Sequence, residues 1–327
     1  MIFRQLIVTL LGSAIAWLLA TSTPATAQQR SVPFRVGVLT PVESDKTPSF
    51  SAFRNELRER GYIEGKSIIL DFRFAKGHTD VLPGLAAELA KVPVDIIVVD
   101  GTTAARAALS VTQSIPILQA AGGDPVAAGL APSYSRPGGN FSGFSIRSDE
   151  LAGKRLELLK RAYPGIKKVS VMLDPTSVVT PPVLRATEKA AANLDVPLTM
   201  LSVSTPEGLN ALGPADLGDA LIVLPSAMFW HHRNSVIALA AAARVPAIYP
   251  EREYADDGGL IAYGPNIPDT FRRAAGYVDQ ILRGARPGDL PIEAASKFDF
   301  VVNLRTAREL KLSPSPDFLV GVGEVIE

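Results

Sequence analysis

The stretch that most constrains this chain runs over residues 93–125, PVDIIVVDGTTAARAALSVTQSIPILQAAGGDP. Residues 94–99 form a short, almost wholly apolar run rich in β-branched side chains, the pattern of a strand covered on both faces. Gly101, Thr102 and Thr103 then turn the chain into an alanine-rich helical segment, 104–109, with hydroxyls at the capping positions. A second apolar run, 115–119, leads to Gly122-Gly123-Asp124-Pro125 and another helix. Parallel strands need a crossover between them, so this order predicts a βαβ unit. Its strand C-termini and helix N-termini face one crevice, where free N–H groups and the helix dipole favour an anionic group. The stretch predicts a binding site.

The same rhythm runs through the rest. Strands are expected near residues 34, 67, 94 and 115, each followed by a helical pattern; Phe50, Phe53 and Leu57, for example, fall at helical spacing ahead of Gly61. A second set follows, with helices over 151–163, 183–193 and 232–243 and strands over 168–173, 197–203, 220–224 and 245–249. Strands alternating with helices predict an α/β fold of two doubly wound, Rossmann-like lobes with parallel sheets. The glycine-rich segment 136–143, RPGGNFSG, is expected to carry a crossing between the lobes. Segments 258–263, 270–282 and 298–302 have no partners in sequence order and are expected to complete one lobe or the other. The expected division is 28–142 plus 261–295 for the first lobe and 143–260 plus 296–327 for the second.

Composition narrows the function. The chain is 47% hydrophobic and 20% charged, enough to bury a large core. Its 33 basic and 33 acidic residues leave no basic excess for nucleic-acid phosphates. Cysteine is absent, which excludes disulfides, thiolate metal sites, a cysteine nucleophile and a lipid-anchored N-terminal Cys. Arg4, the apolar run 6–20 and Ala25-Thr26-Ala27 read as a cleaved export signal over 1–27. That run falls short of the ~20 residues a membrane span needs, so export without stable membrane insertion is expected.

Seven stretches carry a resemblance: FRNELRERGYIEGKSI (53–68), LPGLAAELAKVPVDIIVVDGTTAARAA (82–108), IPILQAAGGDPVAAGL (115–130), SRPGGNFSG (135–143), ELAGKRLELLK (150–160), VPAIYPEREYADDGGLIAYGPN (245–266) and KFDFVVNLRTARELKL (297–312). Together they span nearly all of the chain beyond the leader, and they resemble the ABC transporter substrate-binding family that includes bacterial tryptophan/tyrosine-type binding components. The resemblance implies a type I periplasmic-binding fold, two lobes joined by three crossovers with a ligand between them. It further implies a periplasmic monomer, without cofactor, that binds an aromatic amino acid or related organic acid. Such a protein would serve the permease and ATPase subunits of an ABC importer. Segments 176–182 and 206–216 depart from the family pattern.

Loops at strand C-termini supply the candidate ligand-binding residues. Thr40, Thr102, Thr103, Asp124, Asn140 and Ser142 come from the first lobe or the crossing; Ser226, Tyr249, Glu251, Tyr254 and Tyr263 come from the second lobe or the return. An amino acid needs an anion site for its carboxylate, an acid for its ammonium and an apolar wall for its side chain. Thr102 and Thr103 suit the carboxylate, a use compatible with plain N-capping. Asp124 suits the ammonium or, equally, an Asp-Pro turn. At Asp174-Pro175 the turn is favoured. Tyr249, Tyr254 and Tyr263 suit an aromatic wall, or ordinary packing at strand ends. Trp230 reads as packing.

Other chemistries find little support. His231 and His232 are adjacent, so they face different ways on a helix, and only His78 could join them; no metal site is expected. The chain contains no G-x-x-x-x-G-K-[ST], G-x-G-x-x-G or G-x-S-x-G, and the acidic pairs Glu251/Glu253 and Asp256/Asp257 read as solvated faces rather than acid–base pairs. Capture rather than catalysis is expected. The alternatives are a ligand-sensing receptor of the same fold that feeds a membrane sensor, and an exported α/β enzyme.

Overall fold

A computed structural model describes residues 32–327; the expected leader over 1–27 lies outside them. The strands of the first half are β1 (Phe34–Thr40), β2 (Ile68–Phe74), β3 (Ile96–Asp100), β4 (Ile117–Ala121) and β5 (Phe141–Ser145). Those of the second are β6 (Val169–Leu173), β7 (Leu198–Ser202), β8 (Ala220–Val223), β9 (Ala247–Tyr249) and β10 (Ile261–Pro265). Three short returns follow, β11 (Glu293–Ala294), β12 (Phe298–Asn303) and β13 (Glu324–Ile326). They build two sheets, in the orders β11-β5-β4-β3-β1-β2 and β13-β12-β10-β9-β8-β6-β7. All pairings are parallel except β10 with β12. The expected doubly wound α/β lobes are present.

Each sheet is buried on both faces, which is why its strands read as continuous apolar runs. In the first lobe, helices Pro48–Glu59 and Ile267–Leu282 cover one face and helices Leu82–Lys91 and Thr102–Val111 the other. Helix Pro48–Glu59 starts at Thr47, whose hydroxyl accepts from Phe50 N, and Pro48 supplies a preset φ in the first turn. Its Phe50, Phe53 and Leu57 are buried against Phe271, Ala274 and Val278. Each such side chain stabilises the lobe by roughly 1.5–3 kcal/mol. In the second lobe, helices Ser148–Ala162 and Thr180–Asn193 lie on one face and helix Arg233–Ala243 on the other.

The chain passes between the sheets three times. It leaves β5 through Ile146 and Arg147, leaves β10 through Asn266, and leaves β11 through residues 295–297. Two expectations are corrected. Segment 136–143 is not the crossing: its last three residues already belong to β5, and Gly138 N is held by Gly288 O at 3.1 Å within the first lobe. The small residues Ser142, Gly143 and Ser145 in FSGFS hid that strand. The expected boundary at 261 also moves, because β10 pairs with β9 and β12 in the second sheet; the return to the first lobe begins with the helix after it, Ile267–Leu282, and ends with β11.

Each sheet reverses its strand order once, between β1 and β3 and between β6 and β8. At such switch points the connecting loops diverge to opposite faces and leave a crevice beyond the strand C-termini. Both crevices open toward the same space.

Candidate functional site

Between the lobes lies a cavity of about 200 Å³. The first lobe contributes the loop after β1, the Asp100–Ala104 turn and Gly122-Gly123; the second contributes residues 174–179, 225–227, Trp230, Glu251 and Glu253; Ile146 and Ile267 line it from the crossings. Leu82, Trp230 and Phe271 give it apolar and aromatic walls. Helix Thr102–Val111 begins at the cavity. Its N-cap is Gly101, held at φ +96°, which has no side chain to cap the first turn. The first N–H groups of that helix are therefore available to an anion. Thr102 Oγ1 accepts from Gly123 N at 2.8 Å, which pins the two turns together.

The opposite polarity comes from carboxylates. Asp100, Asp174, Glu251 and Glu253 line the cavity, and no Lys, Arg or His is among the residues lining it. Thr40 Oγ1 donates to Asp100 Oδ2 at 2.9 Å. In the second lobe Ser226 Oγ donates to Asp174 Oδ2 at 2.9 Å, and Asp174 Oδ1 accepts from Thr176 N and Thr176 Oγ1. Desolvation pushes Asp100 up to about 6, against the Thr40 hydrogen bond that pulls it down, while Glu253 adds to the rise. Desolvation likewise lifts Glu251 to about 8, helped by Glu253 and Asp100 and opposed by Arg155. Glu253 is raised too, again by desolvation first. The acids of the two lobes repel one another across the gap, and a cation between them removes that cost.

Behind Glu251 sits Arg155, which is 1% exposed. Its Nε donates to Tyr263 O at 2.8 Å, but among the described residues Nη1 and Nη2 have no hydrogen-bond partner, and neither has Glu251 Oε2. Desolvation lowers the guanidinium to about 10, with Glu251 and Tyr263 holding it up.

The lobes also touch directly. A Cβ on Gly123 would lie 2.4 Å from Val179 Cγ1, so the absence of a side chain there lets the second lobe approach. His231 packs on Gly77 in the same way, with its Nε2 3.7 Å from Glu43 Oε1. Among the described residues no group of His, Asp and Glu is arranged to hold a metal, and no helix is long and apolar enough to cross a membrane.

Of the residues the sequence singled out, Thr102, Thr103, Ser226 and Glu251 come together in the cavity. Thr40 lies one layer behind and reaches the cavity only through Asp100. Asp124 does not line this cavity; its Oδ1 accepts from Val126 N and Ala127 N at 2.8 and 3.0 Å, and it faces a neighbouring one. Asn140 precedes β5 at the far end of the sheet, where Nδ2 donates to Thr112 O and Ile115 O. Ser142 is inside β5 and donates to Leu290 O. The tyrosines form no wall. Tyr249 and Tyr254 stack at 4.8 Å within the second core, and Tyr263 packs edge-on against Phe300.

Sequence reasoning missed Asp100, Glu253, Phe271, Gly122 and Gly123 as cavity residues, and read Trp230 as packing and Asp174 as a turn. Asp174 does form the turn and lines the cavity as well. Asp100 had a usable signal: a carboxylate ending a fully apolar strand just ahead of a helix N-terminus.

The profile of a family described as ABC transporter substrate binding protein matches residues 35–326. A tyrosine-binding protein of Clostridioides difficile (strain R20291) is 27% identical over 263 residues, covering 80% of this chain and 75% of that protein. A conserved domain protein from Vibrio cholerae superposes with a TM-score of 0.84 at 25% identity, covering 90% of this chain and 100% of that one. An ABC domain in complex with L-Trp from Streptococcus pneumonia superposes with a TM-score of 0.81 at 22% identity over 90% and 100% of the two chains, a likeness of fold.

Proposed function

We infer a capture function from the fact that the chain belongs to the ABC transporter substrate-binding protein family: it holds an aromatic amino acid between its lobes and presents it to an ABC importer. The observation that carries this reading is the cavity itself, with an uncapped helix N-terminus on one wall and carboxylates from both lobes, unaccompanied by any lining cation, on the others. A zwitterion fits such a polarity. Its carboxylate meets the first turn of helix Thr102–Val111, its ammonium lies among the acids, and its ring lies against Trp230 and Phe271. The relative from C. difficile is named for tyrosine, and the S. pneumonia domain holds L-Trp, which favours a ring-bearing ligand here too.

In this mechanism the open form exposes the cleft. Ligand favours closure because it meets both lobes only when they are together. The Gly123–Val179 and Gly77–His231 contacts belong to that closed arrangement. A micromolar site corresponds to about 8 kcal/mol, within reach of one carboxylate site, one ionic partner and a buried ring. The ligand leaves unaltered. A leader of the kind expected over 1–27 would carry the protein to the periplasm, where the closed surface is what the importer reads.

The test is mass spectrometry of whatever co-purifies, followed by a thermal-shift screen of the amino acids and of aromatic carboxylates lacking an amine. Aromatic amino acids raise the melting temperature and are recovered intact. A protein that responds to no amino acid, or that returns a chemically altered molecule, refutes the reading. Pull-down against an importer permease and against a membrane sensor separates delivery from sensing.

A further inference from the structure

Beside the main cavity lies a second, of about 210 Å³, which also takes its walls from both lobes. Asp124 and Ala127 line it from the first lobe, and Ser148, Asp149 and Arg185 from the second. The two cavities share Thr102, Gly123, Val178 and Val179, so the contact between Gly123 and Val179 is a neck between them. Sites for organic ligands usually enclose ~300–1,000 Å³. Neither cavity reaches that range alone, whereas the pair falls inside it.

One side chain in the second cavity points to a ligand. Ser148 is 3% exposed, and its Oγ has no hydrogen-bond partner among the described residues. A hydroxyl removed from water and left unpaired costs stability unless something completes it. Helix Ser148–Ala162 starts at the same place, and no side chain caps it. Asp124 is already engaged by Val126 N and Ala127 N. The remaining lining mixes a donor hydroxyl, an accepting carboxylate at Asp149 and a guanidinium at Arg185. Such a mixture suits neither a lone anion nor a lone cation. It suits an amide, which both accepts and donates, followed by a carboxylate near the guanidinium.

We propose that the second cavity is a subsite continuous with the first, so that the cleft takes a dipeptide whose N-terminal aromatic residue fills the first cavity and whose peptide group lies against Ser148. This rests on the amino-acid reading of the first cavity. A peptide backbone threading the neck lifts Val179 from Gly123, a motion a hinged pair of lobes supplies.

The test is calorimetry on the full mature chain with L-Tyr, L-Trp, Tyr-Gly and Trp-Gly as probes. Two variants act on the second cavity alone: Ser148→Ala removes its unpaired hydroxyl, and Ala127→Trp fills it. The dipeptides bind within about tenfold of the free amino acids, because threading the neck gives up the Gly123–Val179 contact. Ser148→Ala weakens them about tenfold, the worth of one hydrogen bond, while Ala127→Trp abolishes dipeptide binding. Both variants hold free L-Tyr and L-Trp within about twofold of the parent. If the free amino acids bind and the dipeptides do not, or if the variants weaken both kinds of probe alike, the subsite is refuted and the amino-acid reading survives. Dipeptide binding without amino-acid binding upholds the subsite and corrects that reading. Binding of neither refutes both.

Discussion

Thr40 Oγ1 donates to Asp100 Oδ2 at 2.9 Å, joining the ends of β1 and β3 where the first sheet reverses its order. Ser226 and Asp174 make the same hydroxyl–carboxylate bridge, also at 2.9 Å, between the ends of β8 and β6. Each lobe thus presents to the cleft a carboxylate held in place by the strand across its own switch point. Thr40→Val keeps the shape and removes the donor. A buried carboxylate then loses its partner, with an expected stability loss of about 1–3 kcal/mol at neutral pH. Urea unfolding measures it, and an unchanged midpoint shows that the bond does not hold Asp100.

Gly123→Ala places a methyl group where Val179 Cγ1 now sits, since the added Cβ would be only 2.4 Å away. The lobes are then held apart. Ligand affinity falls by about tenfold or more, because closed-state contacts are lost from the binding equilibrium. Val179→Ala in the same chain restores it. Calorimetry with solution scattering checks both steps, and failure of the second change to rescue the first argues against a steric cause.

Much of the fold was legible in the sequence because both sheets are buried on both faces. Runs such as Ile96–Val99 and Ala220–Val223 therefore could not be mistaken for amphipathic segments. The strand β5 escaped because close packing replaces side chains with glycine there: a Cβ on Gly143 would meet Gln119 O at 2.3 Å. The site was legible only in part. Thr102 and Thr103 announce themselves by preceding a helix after a buried strand. Tyr249 misled, because tyrosine at a strand end looks the same whether it faces a cleft or, as here, packs on Tyr254 inside the core. Asp100 was invisible as a pair because Thr40 lies 60 residues away.

Asp100 and Glu251 make the ligand-free protein sensitive to pH. Their folded-state values, about 6 and about 8, lie above the ordinary 3.8 and 4.5. A carboxyl raised in this way binds its proton more tightly when folded, so its contribution to stability is complete below about pH 4. That contribution is lost as pH rises through 6 and then through 8. The melting temperature of the ligand-free protein therefore declines from pH 5 to pH 9. Glu251→Gln removes the upper part of the decline, and a scan in which the variant and parent fall together above pH 7 contradicts the assignment. An ammonium-bearing ligand opposes the trend, and its affinity rises with pH as the acids ionise.

Trp230 lines the cavity, with Arg233 Cζ over its ring, 4.6 Å from the centroid. The sequence holds two tryptophans, and the other, Trp17, falls in the segment 1–27 that is expected to be a leader. Intrinsic fluorescence of a chain that begins at residue 28 is thus a direct report on the cleft. L-Tyr binding shifts or quenches it, and Trp230→Ala weakens aromatic ligands by roughly 1–3 kcal/mol while leaving the fold intact. A fluorescence signal indifferent to a ligand that calorimetry detects places the ring elsewhere.

Arg155→Met removes a buried guanidinium that has a single hydrogen bond and two unpartnered nitrogens. The change leaves Tyr263 O without its donor and Glu251 without the charge that holds its carboxyl down, so the ligand-free protein loses about 1–3 kcal/mol. The same change takes a positive charge from behind Glu251 and moves the pH dependence of ligand binding upward. Denaturant curves and affinity at several pH values test the two effects separately.

Helix Ile267–Leu282 follows β10 of the second sheet in the chain, yet it buries Phe271, Ala274 and Val278 in the first lobe. A ribosome that has released residues up to 260 has made nearly every strand of the first sheet but only one of the two helices that cover this face, Pro48–Glu59. Neither half can therefore be cut out as one unbroken piece, and the N-terminal half matures only after most of the other half has been synthesised.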